Sequence, residues 1–393
     1  MLGPAAVLVI CPMARLLLAD APLTRRPPAR LPGDDQLTIR GTAAAGTMGR
    51  SRRSARAGHC RRPPDRGRRL DVPQTTTAHG LHSPGALHES EPFQTYFDVQ
   101  VAGGALNVAR AGCPPEAARA VVLGLHGMSG SHMVYRSLAR ELCHDAQPMC
   151  LLAPDLRGRG RSAHLPEPYG IAMHVADLIA VLDHAGADRA IVVGHSMGCN
   201  IAVRLAADHP ERVAAVVLLD GGLPLLPDDV VSEDVPEEDE QHGLLDRFET
   251  TFASVDEYIG YWRNHPALKV AWDDDIDAFV RCDFVEEADG VRCVVKLKSV
   301  RTDVTDIMFD GRTWTAVTRV HAPVRLMRAE RGLYDDDPLI PVPELEEFLR
   351  EHPQVTVEMV PDVNHFTMLI GRGHGPGRIA ATLAELAVAD LPG

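Results

Sequence analysis

The chain has 393 residues, 45% of them hydrophobic, and carries 40 Lys and Arg against 54 Asp and Glu, for a formal charge of −14 at pH 7. This is globular composition, and its acidic balance argues against a nucleic-acid-binding surface. No stretch reaches the ~18 consecutive apolar residues of a membrane span. The 8 cysteines are scattered with no C-x-x-C pair, the usage of a reduced, cytoplasmic protein without a disulfide framework or zinc site.

The charge is divided unevenly along the chain. Residues 1–80 hold 14 Arg and 5 Asp for a net +9, leaving −23 for the remainder. Segments such as Arg25-Arg26-Pro27-Pro28 and Arg61-Arg62-Pro63-Pro64 have no period of 2 or 3.6, so residues 1–90 read as a disordered Arg/Pro-rich extension. Its apolar run from Ala5 to Ala19 is interrupted by Pro12 and Arg15 and preceded by no basic residue, which disfavours a signal peptide.

Regular patterning starts near residue 93. Phe93 to Val101, Gly103-Gly104 and Ala105 to Ala111 read as a two-strand hairpin. Short apolar runs follow at Ala120–Leu125, Met149–Ala153, Ala190–Val193, Val213–Leu219, Val324–Met327 and Val355–Val360, as expected of parallel strands buried on both faces. Helical periods at Val134–His144, Ile171–His184, Met197–Asp208 and Gly377–Ala389 alternate with them. The expectation is an α/β fold with a mostly parallel sheet. The core comprises residues 91–221 and 321–393. Between its two parts, residues 222–320 are too long for a bare loop and form a helical cap subdomain. Its placement after a strand's carboxyl end sets it above the ligand crevice of such a sheet.

Gly194-His195-Ser196-Met197-Gly198 follows a strand and opens a helix. Its two glycines permit the tight turn that raises a nucleophilic Ser196 above the sheet. After the strand Ala120–Leu125, His126-Gly127-Met128 bends so that the N–H of Met128, with that of Met197, makes an oxyanion hole. His126 reads as ordering this loop, and His195 as tucked under the elbow. His365 follows the last strand in Asp362-Val363-Asn364-His365 and can reach back to Ser196 as general base. His374, in a Gly-rich turn, reads as solvated.

Together these motifs resemble the α/β-hydrolase family over residues 93–393. Asp155-Leu156-Arg157-Gly158-Arg159-Gly160-Arg161-Ser162 also looks like that family's D-x-x-G-x-G-x-S loop. The resemblance implies an eight-stranded α/β-hydrolase sheet, a capped serine esterase acting on a small molecule, and no cofactor or metal. It disfavours dehalogenase and epoxide-hydrolase chemistry, which uses Asp at the elbow. Carbon–carbon bond hydrolases, cofactor-free haloperoxidases and a non-catalytic ligand-binding homologue stay open.

The family's commonest position for the triad acid, just after the strand that follows the cap, aligns here with Gly332. The acid is then Asp220, at the end of Val213–Leu219 where some members carry it, in preference to Asp335, Asp336 or Asp337, with Glu330 also near. A carboxylate buried at a strand end is costly without a partner, which a catalytic His supplies. Asp273-Asp274-Asp275 and the acidic loop Pro236–Glu240 read as solvated cap surface. Cys282 and Cys293 read as a buried thiol pair across a turn at Asp289-Gly290. Tyr258, Tyr261, Trp262 and Trp272 either line a pocket or form the cap's own core.

Overall fold

A computed structural model describes residues 91–144, 148–223 and 247–389. The extension over residues 1–90 and the loop Pro236–Glu240 lie outside the described residues.

A hairpin of β1 (Thr95–Val101) and β2 (Gly104–Gly112) begins the sheet, turning at Gly103 and Gly104 with positive φ. Next come β3 (Ala120–Leu125), β4 (Met149–Pro154), β5 (Ala190–His195) and β6 (Val213–Leu219). After an insert, β10 (Val324–Arg331) and β11 (Val355–Asn364) complete it. The order is β1-β2-β4-β3-β5-β6-β10-β11, antiparallel at β1–β2 and β2–β4 and parallel elsewhere. The mostly parallel sheet expected from the apolar runs is therefore present, with the eight strands that the resemblance implies.

Two apolar layers flank it. Val122, Leu151, Ile191 and Val217 face α1 (Arg136–His144) and α9 (His374–Val388), while Leu123, Leu152, Val192 and Leu218 face α2 (Ile171–His184) and α3 (Met197–Asp208). Alternate residues of each strand thus serve opposite layers, which is why the strands read as unbroken apolar runs. The helix α8 (Val342–Glu351) packs Leu345 and Phe348 into the second layer.

From β3 the chain moves to β4 on one side, then returns to β5 on the other. That reversal leaves an open crevice beyond the carboxyl ends of β3 and β5, where ligands bind in sheets of this kind.

The described part of the insert, residues 247–320, contains α4 (Val255–Arg263), α5 (Asp274–Arg281), α6 (Leu297–Phe309) and α7 (Gly311–Trp314). It also holds a small antiparallel sheet of β7 (Thr251–Phe252), β9 (Gly290–Cys293) and β8 (Phe284–Glu287). Helical patterning around Tyr258–Trp262 and Ile276–Val280 matches α4 and α5, whereas α6 and α7 go beyond what the sequence suggests; strands this short are beneath what periodicity reveals.

Tyr258 and Trp262 are fully buried among Phe252, Phe279 and Phe284, so these two aromatics form the insert's own core. Tyr261 and Trp272 are half-buried against it. Cys293 opposes Phe284 in the β8–β9 pairing and touches Arg247, whereas Cys282 is only half-buried. The two thiols therefore have separate surroundings, because the hairpin register matches Cys293 to a residue two places beyond Cys282.

Two buried carboxylates fasten the insert to the core. Asp275 accepts from Arg136 Nε at 2.9 Å, Arg140 Nη2 at 2.6 Å and Ser137 Oγ at 2.8 Å. Asp303, fully buried on α6, meets Arg159 Nη2 at 2.5 Å and His174 Nε2 at 3.1 Å. Of the other carboxylates near α5, Asp273 caps the helix through the N–H groups of Asp275 and Ile276, and Asp274 faces Arg372 at 3.4 Å.

Candidate active site

Ser196 stands between β5 and α3 with φ 55° and ψ −122°, a left-handed conformation that few non-glycine residues adopt. The flanking glycines are dictated by space. A Cβ on Gly194 would lie 2.3 Å from the carbonyl oxygen of Gly198, and one on Gly198 would lie 2.0 Å from that of Leu125. Only bare backbone lets the turn close this tightly against β3. Ser196 N–H donates to Leu219 O at 3.1 Å, tying the turn to β6.

The loop after β3 lies against this turn, with Gly127 so close that a Cβ there would be 3.2 Å from Ser196 Cβ. Its carbonyls are occupied. Gly127 O accepts from His126 Nδ1 at 2.8 Å and from Gly130 N–H at 3.1 Å, and Met128 O accepts from Arg159 Nε at 3.0 Å. His126 Nε2 in turn accepts from Leu156 N–H at 2.9 Å, so the partners define its tautomer: Nδ1 carries the proton. Complete burial lowers its pKa to about 4, with nearby Asp155 pulling the other way. The amide N–H groups of Met128 and Met197 have no hydrogen-bond partner among the described residues, and both residues line the cavity that holds Ser196. For Met197 the free donor follows from its place in the first turn of α3.

His365 comes directly after β11, which runs to Asn364 rather than ending at Val360. Its Nδ1 is 2.8 Å from Asp220 Oδ2, in a contact buried from solvent on both sides. Asp220 leaves β6 with φ 51°, and its other oxygen accepts from Ala329 N–H at 3.1 Å. The next residue must be glycine, since a Cβ on Gly221 would sit 2.7 Å from Ser196 O. Ser196 and His365 share a cavity of about 50 Å³ with Met128 and Phe366.

The rival carboxylates lie elsewhere. Asp335 is exposed and accepts from Arg331 Nε at 2.7 Å and Asn364 Nδ2 at 2.9 Å; despite some desolvation, these donors hold its pKa below the usual carboxylate value. Asp336 accepts from Tyr334 N–H and Glu330 from Asp362 N–H.

His195 is buried under His365, with ring centres 4.7 Å apart. Its Nε2 lies 2.8 Å from His365 O, a carbonyl that can only accept, so Nε2 carries the proton. Burial, reinforced by the neighbouring His365, lowers its pKa to about 3 and keeps it neutral. His374 Nε2 donates to Pro361 O at 2.7 Å on the surface.

Asp155 begins the glycine-rich loop after β4 and organises it. It accepts from His132 N–H at 2.7 Å, His132 Nδ1 at 2.9 Å and Arg161 N–H at 2.8 Å. Burial alone would raise its pKa, but His132 above all overcomes this and lowers it to about 2. A Cβ on Gly160 would strike this carboxylate at 2.5 Å. Arg157 makes a two-pronged pair with Asp177.

Arg159, for which the sequence reading gives no role, links three parts of the site. Its fully buried guanidinium joins Met128 O, the Met197 thioether at 3.8 Å and Asp303 of the insert. Only the spacing of the loop motif marks it. Nothing in the sequence points to Asp303 or His174 as its companions, because their contact spans 129 residues.

The model of the α/β hydrolase fold family matches residues 120–258. The lipase LipV of Mycobacterium tuberculosis is 41% identical over 104 residues, which is 26% of this chain and 38% of the lipase. The chain thus aligns with well under half the length of that curated relative. Among solved structures, the thioesterase domain from the curacin biosynthetic pathway superposes with a TM-score of 0.56 at 20% identity, covering 75% of this chain and 99% of that one. The peroxisomal α/β-hydrolase Lpx1 of Saccharomyces cerevisiae gives 0.57 at 18% identity, covering 77% and 87%. At these identities the structural likeness concerns the fold.

Proposed function

We propose that this chain, which belongs to the α/β-hydrolase superfamily, is a serine hydrolase cleaving a carboxylic ester, or a similar acyl bond, of a small molecule. The observation that carries this reading is the buried 2.8 Å contact between His365 Nδ1 and Asp220, beside a strained Ser196 on the same cavity. Asp220 holds the imidazole with its second nitrogen free for the Ser196 hydroxyl and stabilises the imidazolium that forms. Ser196 Oγ attacks the carbonyl carbon while His365 takes its proton. The negative oxygen then meets the unpaired N–H groups of Met128 and Met197, assisted by the positive end of α3. Collapse breaks the bond to the leaving alkoxide, which receives the proton from His365. Water repeats the sequence and frees the acid.

His195 acts through His365 by gripping its carbonyl, and Arg159 acts through Met128 in the same way. Carbon–carbon bond hydrolases and cofactor-free haloperoxidases employ the same pair of residues, so the assay separates them by substrate. A panel of p-nitrophenyl esters is offered to the full chain beside Ser196→Ala and His365→Ala. Both variants lose on the order of 10³-fold or more in kcat, and a fluorophosphonate labels the wild type but not Ser196→Ala. A wild type that neither turns over any ester nor takes the label overturns the reading.

A further inference from the structure

Ser196 and Met128 stand on the wall between two cavities. The smaller one contains His365. The other, of about 100 Å³, extends away from it beneath α6 and α7 of the insert. Val304, Ile307, Met308, Trp314 and Val317 cover this second cavity, and Val203, Leu223 and Ile340 close it from the core. Among its described lining residues the single charged side chain is Asp220, whose two oxygens are taken by His365 and Ala329. A charged group placed there would lose its hydration with no counter-charge to replace it.

Besides Ser196 and the indole of Trp314, two further polar side chains line this wall. Thr313 is occupied, accepting from Arg204 at 2.8 Å and donating to Asp310 at 2.8 Å. Asn200 is different. It is half-buried, sits one helical turn beyond Ser196 on α3, and makes no side-chain hydrogen bond among the described residues. Its amide atoms are not sealed in protein, and the residue lines the cavity. An apolar chamber with one unused amide accepts an apolar group carrying one polar atom at the matching place. Asn200 lies in the first turn of α3, directly after the turn that carries Ser196, so the matching polar atom belongs to the part of the substrate near the carbonyl that Ser196 attacks.

Building on the serine-hydrolase reading, we propose that the cavity beneath α6 and α7 takes an uncharged, apolar limb of the substrate bearing one hydrogen-bonding oxygen or nitrogen, and that Asn200 is the residue that reads it. The limb belongs to either the acyl or the alcohol half, and matched pairs of esters distinguish the two. For the acyl half the pair is p-nitrophenyl pentanoate and p-nitrophenyl 4-oxopentanoate; for the alcohol half it is butyl acetate and 3-oxobutyl acetate.

In one of the two pairs the keto ester is preferred by about tenfold in kcat/KM, and Asn200→Leu abolishes that preference. The mono-p-nitrophenyl ester of glutaric acid, with a carboxylate near the keto position, is disfavoured at least as strongly as the plain pentanoate. Calorimetry on Ser196→Ala with methyl pentanoate and methyl 4-oxopentanoate, and with both acetates, reads the same preference as affinity without any turnover. Loss of all hydrolysis by the wild type therefore counts against the catalytic reading, while the affinity ratios still judge the cavity. The inference is overturned if Asn200→Leu shifts both members of each pair equally, or if the glutarate is accepted as well as the ketone.

Discussion

The turns at the ends of β3, β5 and β6 and the insert between β6 and β10 meet at Ser196, but different forces hold them in place. In the turns the backbone leaves almost no choice: Gly198 abuts Leu125 O, Gly221 abuts Ser196 O, and Ser196 and Asp220 both take positive φ. The insert feels such pressure at Gly290, where a Cβ would lie 2.4 Å from Phe252 O, but none at Gly260 or Gly311, where it would meet nothing within 4 Å. It is secured instead by buried charge, Asp275 among Arg136 and Arg140, and Asp303 between Arg159 and His174. Constraints of the first kind select residue types at fixed spacing. Those of the second kind select partners far apart in the chain.

The sharpest way to break this contrast is at the two rival carboxylates. Asp220→Asn, at a backbone-constrained turn, lowers kcat by about 10³–10⁴-fold, whereas Asp335→Asn on its exposed loop changes it by no more than a few-fold. Ester hydrolysis by the two variants side by side decides between them, and the reverse ranking would remove Asp220 from the proposed triad.

Next in size is the charge that fastens the insert. Asp303→Asn leaves the Arg159 guanidinium buried without its anion, a loss of about 3–5 kcal/mol of stability, measured as a shift in the urea midpoint. Since Arg159 also holds Met128 O, kcat falls with it while KM moves less. A variant of unaltered stability would show that the buried pair is dispensable.

A smaller effect follows from His126 and His195, whose folded-state values of about 4 and about 3 lie below the ordinary 6.5. Between those values and 6.5 the unfolded chain binds protons that the folded one does not. Their stabilising share is therefore complete above about pH 6.5 and is lost as the pH falls toward 4 and 3. Denaturation at pH 7 and pH 5 shows a decline that is shallower in His195→Gln than in the wild type. Equal slopes would mean that His195 is protonated in the fold.

The smallest effect tests the insert's tolerance. Gly260→Ala, in the middle of α4, gains about 0.5–1 kcal/mol through helix propensity, read as a rise in thermal midpoint. A loss there would reveal a spatial demand like that of the turns.

The same contrast explains what could be read from the sequence. Ser196, Met128 and Met197 stand out because glycine at 194 and 198 is required by backbone contacts that no other residue permits, and Gly127 packs tightly against Ser196. The inner strands β3, β4, β5 and β6 stand out because each is apolar on both faces. Pattern favours Asp220 only through the cost of a lone buried carboxylate and does not place it against His365, since that depends on where β6, β10 and β11 lie in space. Arg159, Asp303, His174 and Asn200 left no signal of their role, because an ion pair or an unused amide is a matter of folded distance rather than periodicity. The small sheet β7-β9-β8 went unseen for a simpler reason: its strands of two to four residues complete too little of a period.

The two anchoring carboxylates also bear on how such a protein can be re-engineered. Replacing the insert with one from a relative, a direct route to a new substrate range, would bring new walls for the cavity beneath α6. It would equally strip Arg140 and Arg159 of the anions that neutralise them and leave Arg136 with Glu91 alone. A successful graft must carry acidic residues at the places of Asp275 and Asp303, or exchange their arginine partners at the same time.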